Sequence, residues 1–217
     1  MTYPSLAIIG TAGRNDDYDK LSKQSYERMV IAVSNCLHYL SGLNRLSIRD
    51  IKVFSGGAAW ADHVAVGLCL ERIIPFENLT IFAPTEFKNS KFTGVGFTGV
   101  RTADTINYHH RRFSEKISES SLGHLAQVQR KGAVIVPGNG NFKDRNTKIA
   151  ESVTPNGLLI AFTFGHNDCT RDPWVMMFNN SDTTATEAGV KPGGTADTFN
   201  KAYCRKAHVK LEQLFIG

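Results

Sequence analysis

No apolar stretch in the 217 residues approaches the roughly twenty that a bilayer-spanning helix needs, which excludes a helical membrane protein. Internal repeats and low-complexity tracts are also lacking, which excludes a solenoid or a long flexible linker. The opening residues MTYPSLAIIG carry neither the basic flank nor the small-residue cleavage site of an export signal, so a cytoplasmic protein is expected. Cysteine is scarce: Cys36, Cys69, Cys169 and Cys204 form no C-x-x-C pair, so the thiols are expected to pack as small hydrophobes. His166 and Cys169 stand at a metal-like gap without a second pair, and neither a metal nor a cofactor is expected. Three signatures are missing as well. Without G-x-x-x-x-G-K-[ST] there is no P-loop, without G-x-G-x-x-G no ordinary dinucleotide fingerprint, and without G-x-S-x-G no serine-hydrolase elbow.

What is present reads as one globular domain over residues 1–217, with 41% hydrophobic residues to supply a core. The net charge of +5 is mild and its bases are spread out, which suits a small anionic partner better than DNA. The exception is HHRRF (109–113), which either contacts phosphates or forms a solvated helix face.

Short apolar runs alternate with helical spacing. LAIIG (6–10), IKVF (51–54), NLTIFA (78–83), AVIVP (133–137) and GLLIAFTFG (157–165) predict buried strands of a parallel sheet. Met29, Val30, Val33, Leu37 and Leu40 recur at spacings of three and four and predict a helix between the first two. Residues 84–101 read as a long loop, about 105–130 as one helix, 145–153 as a short helix, and Phe199, Ala202 and Tyr203 as the start of a last helix. The sum is an α/β fold with a Rossmann-like parallel sheet flanked by helices.

Three glycine turns follow this pattern: GTAGR (10–14), SGGAAWAD (55–62) and PGGTADT (192–198). In an open α/β sheet ligands bind at the carboxyl ends of the strands, where helix N-termini present unpaired N–H groups. Gly56, Gly57, Gly193 and Gly194 would admit a phosphate to those groups, Ser55 and Thr195 could add hydroxyl donors, and Arg14 a planar charge. Asp62 and Asp197 either complement the dipole of their own helices or face a ligand. Trp60 either stacks on a base or packs under its helix. Asp168, Arg171 and Asp172 follow the longest apolar run and either close over a ligand or are plain surface.

The order IIGTAGR, VFSGGAAWADHVAV, FAPTEF, DRNTKIAE, LLIAFTFG, GGTADTFNKA resembles the SLOG superfamily, and within it the YspA-like branch. The resemblance spans nearly the whole chain, with insertions at about 84–131 and 166–191. It implies a Rossmann-like fold that binds nucleotides or nucleotide-derived ligands, with contacts from Gly10, Thr11, Arg14, Ser55, Gly56, Gly57, Asp62, Arg145, Asn146, Gly194 and Thr195. It also implies homodimers or larger assemblies. The chain departs from the phosphoribohydrolase pattern P-G-G-x-G-T-x-x-E, because no glutamate follows Thr195 in the next turn, and Trp60 stands where Gly is common. The expected function is therefore binding of a nucleotide or ADP-ribose-like molecule, as a sensor or a sequestering protein. Two alternatives stay open. One is an N-glycosidase with a carboxylate from Asp62, Asp197 or Glu86, and the other is a DprA-like binder of single-stranded DNA.

Overall fold

The computed structural model describes residues 4–165 and 180–215. The first apolar run forms β1 (Ser5–Gly10), and its alternating side chains supply two cores at once. Leu6 and Ile8 face one cluster and Ala7 and Ile9 the other, because successive strand residues point to opposite sides. The chain continues through a single-turn α1 (Asp17–Lys20) into α2 (Lys23–Asn44), where Ser22 and Ser25 form a reciprocal capping box. There follow β2 (Lys52–Ser55), α3 (Val64–Leu70), β3 (Leu79–Ala83), the short β4 (Glu86–Lys88) and β5 (Lys91–Thr93), α4 (Gly96–Ile117) and α5 (Ser121–Arg130). The last part comprises β6 (Val134–Pro137), α6 (Phe142–Ser152), β7 (Leu158–Thr163), α7 (Gly194–Lys201) and β8 (Arg205–Lys210).

Six strands form one parallel sheet in the order β6-β3-β2-β1-β7-β8. From β1 the chain steps outward in one direction to β6, returns past β1 to β7, and then continues to β8. Crossovers of a single hand must place their helices on opposite faces when the direction reverses. Accordingly α2 to α5 pack on the face of Leu6, Ile8, Leu79 and Ile81, while Ile149 and Ala150 of α6 and Phe199 of α7 pack against Ala7, Ile9 and Leu159. The chain is thus an α/β protein with a Rossmann-like sheet, and no helix among the described residues is long and apolar enough to cross a membrane.

Three expectations need correction. Residues 84–101 are no simple loop: β4 and β5 form a hairpin whose two central residues, Asn89 and Ser90, both have positive φ (49° and 57°). That is the two-residue turn whose twist matches paired strands, and it brings the buried rings of Phe87 and Phe92 within 5.0 Å. The single helix expected over 105–130 is two, broken at Ser118 in the left-handed conformation and restarted where the Ser120 side chain accepts the Gly123 N–H. The final helix spans Gly194–Lys201, so it starts before Phe199 and ends before Ala202 and Tyr203, and a sixth strand of the sheet, β8, follows it. Its sequence RKAHVK hid the strand because a lysine sits inside. Lys206 is buried, donates from Nζ to the Thr183 carbonyl (3.1 Å), and lies 5.2 Å from the Phe199 ring.

Gly10 ends β1 where a side chain has no room. A Cβ there would stand 2.2 Å from the Phe162 carbonyl oxygen and 2.6 Å from Ala61 Cβ. Gly10→Ala is therefore expected to cost at least about 2 kcal/mol by overpacking against backbone. Gly42→Ala, in a helix with no atom within 4 Å of the added methyl, should stabilise by about 0.5–1 kcal/mol. Urea denaturation midpoints of the two variants check both signs.

Candidate functional site

The strand order reverses between β1 and β7, and outside the carboxyl ends of those two strands a cavity of about 490 Å³ opens. Its wall includes Gly10, Thr11 and Arg14 from the turn after β1, and Asp62 from the turn after β2. Arg145 and Asn146 come from α6, and Gly193, Gly194, Thr195 and Asp197 from the start of α7. Segments distant in sequence meet here because both α6 and α7 follow strands and begin at this edge of the sheet.

The two helix starts differ. Asn141 caps α6 by accepting the Lys143 N–H (2.8 Å), whereas α7 starts after Gly193 without a side-chain cap. Gly193 has φ 136°, a conformation that side chains rarely adopt, and no atom of the described residues lies within 4 Å of where its Cβ would be. First-turn N–H groups have no intrahelical acceptor, so the N-terminus of α7 brings donors and a positive dipole end to the cavity. The Thr195 hydroxyl donates to the Gly10 carbonyl (3.1 Å) and ties α7 to β1.

A polar chain runs along the wall. Arg145 donates to Asn146 Oδ1 (3.2 and 2.9 Å) and to the Gly56 carbonyl (3.3 Å), and its Nη1 stands 3.7 Å from Asp62 Oδ2. Asn146 Nδ2 in turn donates to the Gly194 carbonyl (3.1 Å) and to Asp197 Oδ2 (3.3 Å), and Lys201 donates to the same carboxylate (2.9 Å). Burial pushes the Asp62 carboxyl up, against the opposing pull of Arg145 and of the N–H groups of Ala58 and Gly10. Asp197 moves the other way: its partial burial raises it, but hydrogen bonds from Lys201 and Asn146 outweigh that and hold it below the usual range.

The structure gives Ser55, Gly56 and Gly57 a different place from the one expected. All three are buried outside the cavity wall, and their interior contacts account for them. The Ser55 hydroxyl donates to the Asp62 carbonyl (2.7 Å). A Cβ on Gly56 would collide with Asp62 Oδ2 (2.6 Å) and crowd the Arg145 guanidinium (3.0 Å), and one on Gly57 would meet Ile81 at 2.6 Å. The glycine pair thus admits side chains of the protein itself. Asp62 does not cap α3, which begins only at Val64; its Oδ2 accepts the Ala58 N–H (3.2 Å).

Of the two readings of Trp60, stacking on a base or packing under its helix, the structure supports the second. Trp60 is wholly buried with its ring 4.6 Å from that of Phe113, outside the cavity wall, so it packs under the fold. Its φ is 62°, the left-handed conformation in which glycine carries no steric cost, which explains why a glycine suits that position. Glu86 lies on the exposed hairpin paired with Lys88 (2.6 Å), away from the cavity. HHRRF is split: His110 and Phe113 are in the core, and the Arg112 guanidinium sits 3.4 Å from the Tyr18 ring centre. His166, Asp168, Cys169, Arg171 and Asp172 lie outside the described residues, and Cys36, Cys69 and Cys204 are buried thiols.

The wall residues that escaped the sequence reading include Asp17, Phe142, Lys143, Thr163 and Lys191. Asp17 is buried and accepts from the Thr11 hydroxyl (2.9 Å) and from Lys191 Nζ (2.7 Å), joining the turn after β1 to the segment before α7. The Thr163 hydroxyl, at the end of β7, accepts the Lys191 backbone N–H (3.2 Å) and bonds His208 Nε2 (2.7 Å), whose Nδ1 side faces the Ala188 carbonyl (2.9 Å). Lys191 and Pro192 directly precede Gly193, and that adjacency was the available signal.

No family model and no solved structure matches the chain. Over 199 residues it is 35% identical to "Uncharacterized protein R261" of Acanthamoeba polyphaga mimivirus, covering 90% of this chain and 89% of the viral protein. The chain belongs to the same family as that viral protein.

Beneath the glycine turn lies a histidine cluster. His110 Nε2 bonds the Gly57 carbonyl (3.0 Å), His63 lies against it with ring centres 5.7 Å apart, and His124 stacks on His63 at the same separation. Burial lowers His110 from 6.5 to about 4 and holds His63 well below its ordinary range. Both therefore bind protons more readily in the unfolded chain. Stability is whole above about pH 6.5 and drains as the pH falls toward 4, His110 alone accounting for on the order of 3 kcal/mol. His110→Gln should flatten that slope, as read from urea unfolding at successive pH values.

Proposed function

We propose that the chain binds a phosphorylated nucleoside, a nucleotide or an ADP-ribose-like molecule, in the cavity between β1 and β7, and senses or sequesters a nucleotide signal. The observation that carries this reading is the uncapped N-terminus of α7 opening into a cavity whose wall also holds four cations, Arg14, Lys143, Arg145 and Lys191. Backbone N–H groups, a helix dipole and planar guanidinium donors together favour a phosphate. The polar side chains beside them suit a sugar, and the volume suits a nucleotide. The motif order that resembles the SLOG superfamily supports the same ligand class.

A second reading is favoured by one further observation: Asp62 and Asp197 share the cavity with their affinities for protons pushed apart. Such a pair suits acid–base division of labour. In N-glycosidic cleavage Asp62 would first take up a proton in place of its contact with Arg145, and would then hand it to the departing base nitrogen as the C1′–N bond breaks and its electron pair leaves with the base. Asp197 would take a proton from the water that adds to C1′.

Thermal shift and base release, recorded with AMP, other nucleoside monophosphates, NAD and ADP-ribose, test both readings. A nucleotide at a hundred times its Kd should stabilise the protein by about 2.7 kcal/mol. Arg14→Ala should weaken binding roughly tenfold through loss of a charge-assisted contact. Base release that disappears in Asp62→Asn while binding persists supports cleavage, and a shift without release supports binding alone. Absence of both with every ligand overturns the nucleotide site.

A further inference from the structure

Phe142, the first residue of α6, is the one aromatic side chain in the described wall of the cavity. Its ring is half-buried, backed by the main core, and flanked by two guanidinium groups: the carbon of Arg145 lies 5.3 Å from the ring centre and that of Arg14 5.4 Å. The two arginines are held differently. Arg145 is fixed by the Gly56 carbonyl, Asn146 and Asp62, with only 12% of its side chain exposed. Arg14 is exposed.

The rest of the wall divides by chemistry. Thr11, Asp17, Thr163, Asn146 and Asp197 are polar groups that can bond sugar hydroxyls, and the α7 start takes an anion. Ala12, Ala58 and Pro192 are too small to cover a heterocycle, which leaves Phe142 as the flat apolar surface. Trp60, the other ring weighed as a base platform, is in the core.

We infer that Phe142 is the platform for the base of a bound 5′-nucleotide, that the Arg14 guanidinium closes over the other side of the base, and that the phosphate lies at the start of α7. The inference rests on the nucleotide reading of the cavity and adds what that reading lacks, an orientation and a requirement for an aromatic base. A base between ring and guanidinium needs about 7 Å, twice the contact distance of stacked carbons, so Arg14 withdraws by a small step on binding. Guanidinium groups stack on π surfaces while keeping their edges for hydrogen bonds, so both roles are compatible.

The test compares AMP with ribose 5-phosphate, which has the sugar and phosphate without the base, by calorimetry in a buffer free of phosphate. The wild-type protein should bind AMP about ten- to a hundredfold more tightly than ribose 5-phosphate, the range expected for one stacked base. Phe142→Ala and Phe142→Leu should bring AMP down to the level of ribose 5-phosphate while leaving ribose 5-phosphate within twofold, and Phe142→Trp should restore AMP. Leucine keeps the apolar bulk against the core, so the comparison stands even where the alanine variant fails to fold. Equal wild-type affinity for the two ligands, AMP binding untouched by Phe142→Leu, or parallel weakening of both ligands overturns the role of Phe142. A wild-type protein that binds neither compound overturns the 5′-nucleotide placement proposed here, and silence of NAD and ADP-ribose as well overturns the nucleotide reading itself.

Discussion

Arg145 and Asp62 meet in a place where neither would be stable alone. Their side chains are 12% and 5% exposed, so each needs the other and the surrounding dipoles to offset lost hydration. The consequences spread in both directions along the chain. Gly56 has no side chain because that pair occupies the space, the Gly56 carbonyl takes an Arg145 N–H, and Asn146 passes the network on to α7. One contact thereby fixes the turn after β2, the start of α6 and the start of α7 relative to each other. Those three segments form much of the cavity wall, so its shape follows from an ion pair that water barely reaches.

The sheet supplies the second constraint. Reversal of strand order at β1 forces helices onto both faces and leaves a crevice at the reversal point, independently of which residues line it. Side chains then decide its chemistry. Here carboxylates and cations share the wall. Asp17 engages Lys191, Asp62 engages Arg145, and Asp197 engages Lys201, while the start of α7 has no side-chain cap among the described residues.

Strands β1, β2, β3, β6 and β7 were legible because each is an apolar run bounded by turn residues, and α2 because its apolar spacing is sustained. β8 was hidden by Lys206, whose amino group reaches a carbonyl and an aromatic ring and so breaks the link between charge and exposure. The hairpin at 86–93 was hidden because three-residue strands are too short to show alternation, although Asn89 and Ser90 are suitable turn residues. In the cavity, Arg14, Arg145, Asn146 and the α7 turn were found through their motifs. Phe142 and Asp17 belong to no motif, and only the folded chain places them there. The glycine pair of SGGAAWAD was noticed for the right physical reason, close approach of something to the backbone. That something is internal to the protein, a distinction local sequence does not carry.

Trp60 occupies a left-handed conformation that costs a bulky residue energy, and it is held there by the ring of Phe113 on α4. Segment 84–131 is thus more than an addition at the edge of the sheet, since it supplies the surface that makes tryptophan tolerable in that turn. Without α4 the indole would stand exposed on a strained backbone, and glycine would carry no steric cost there.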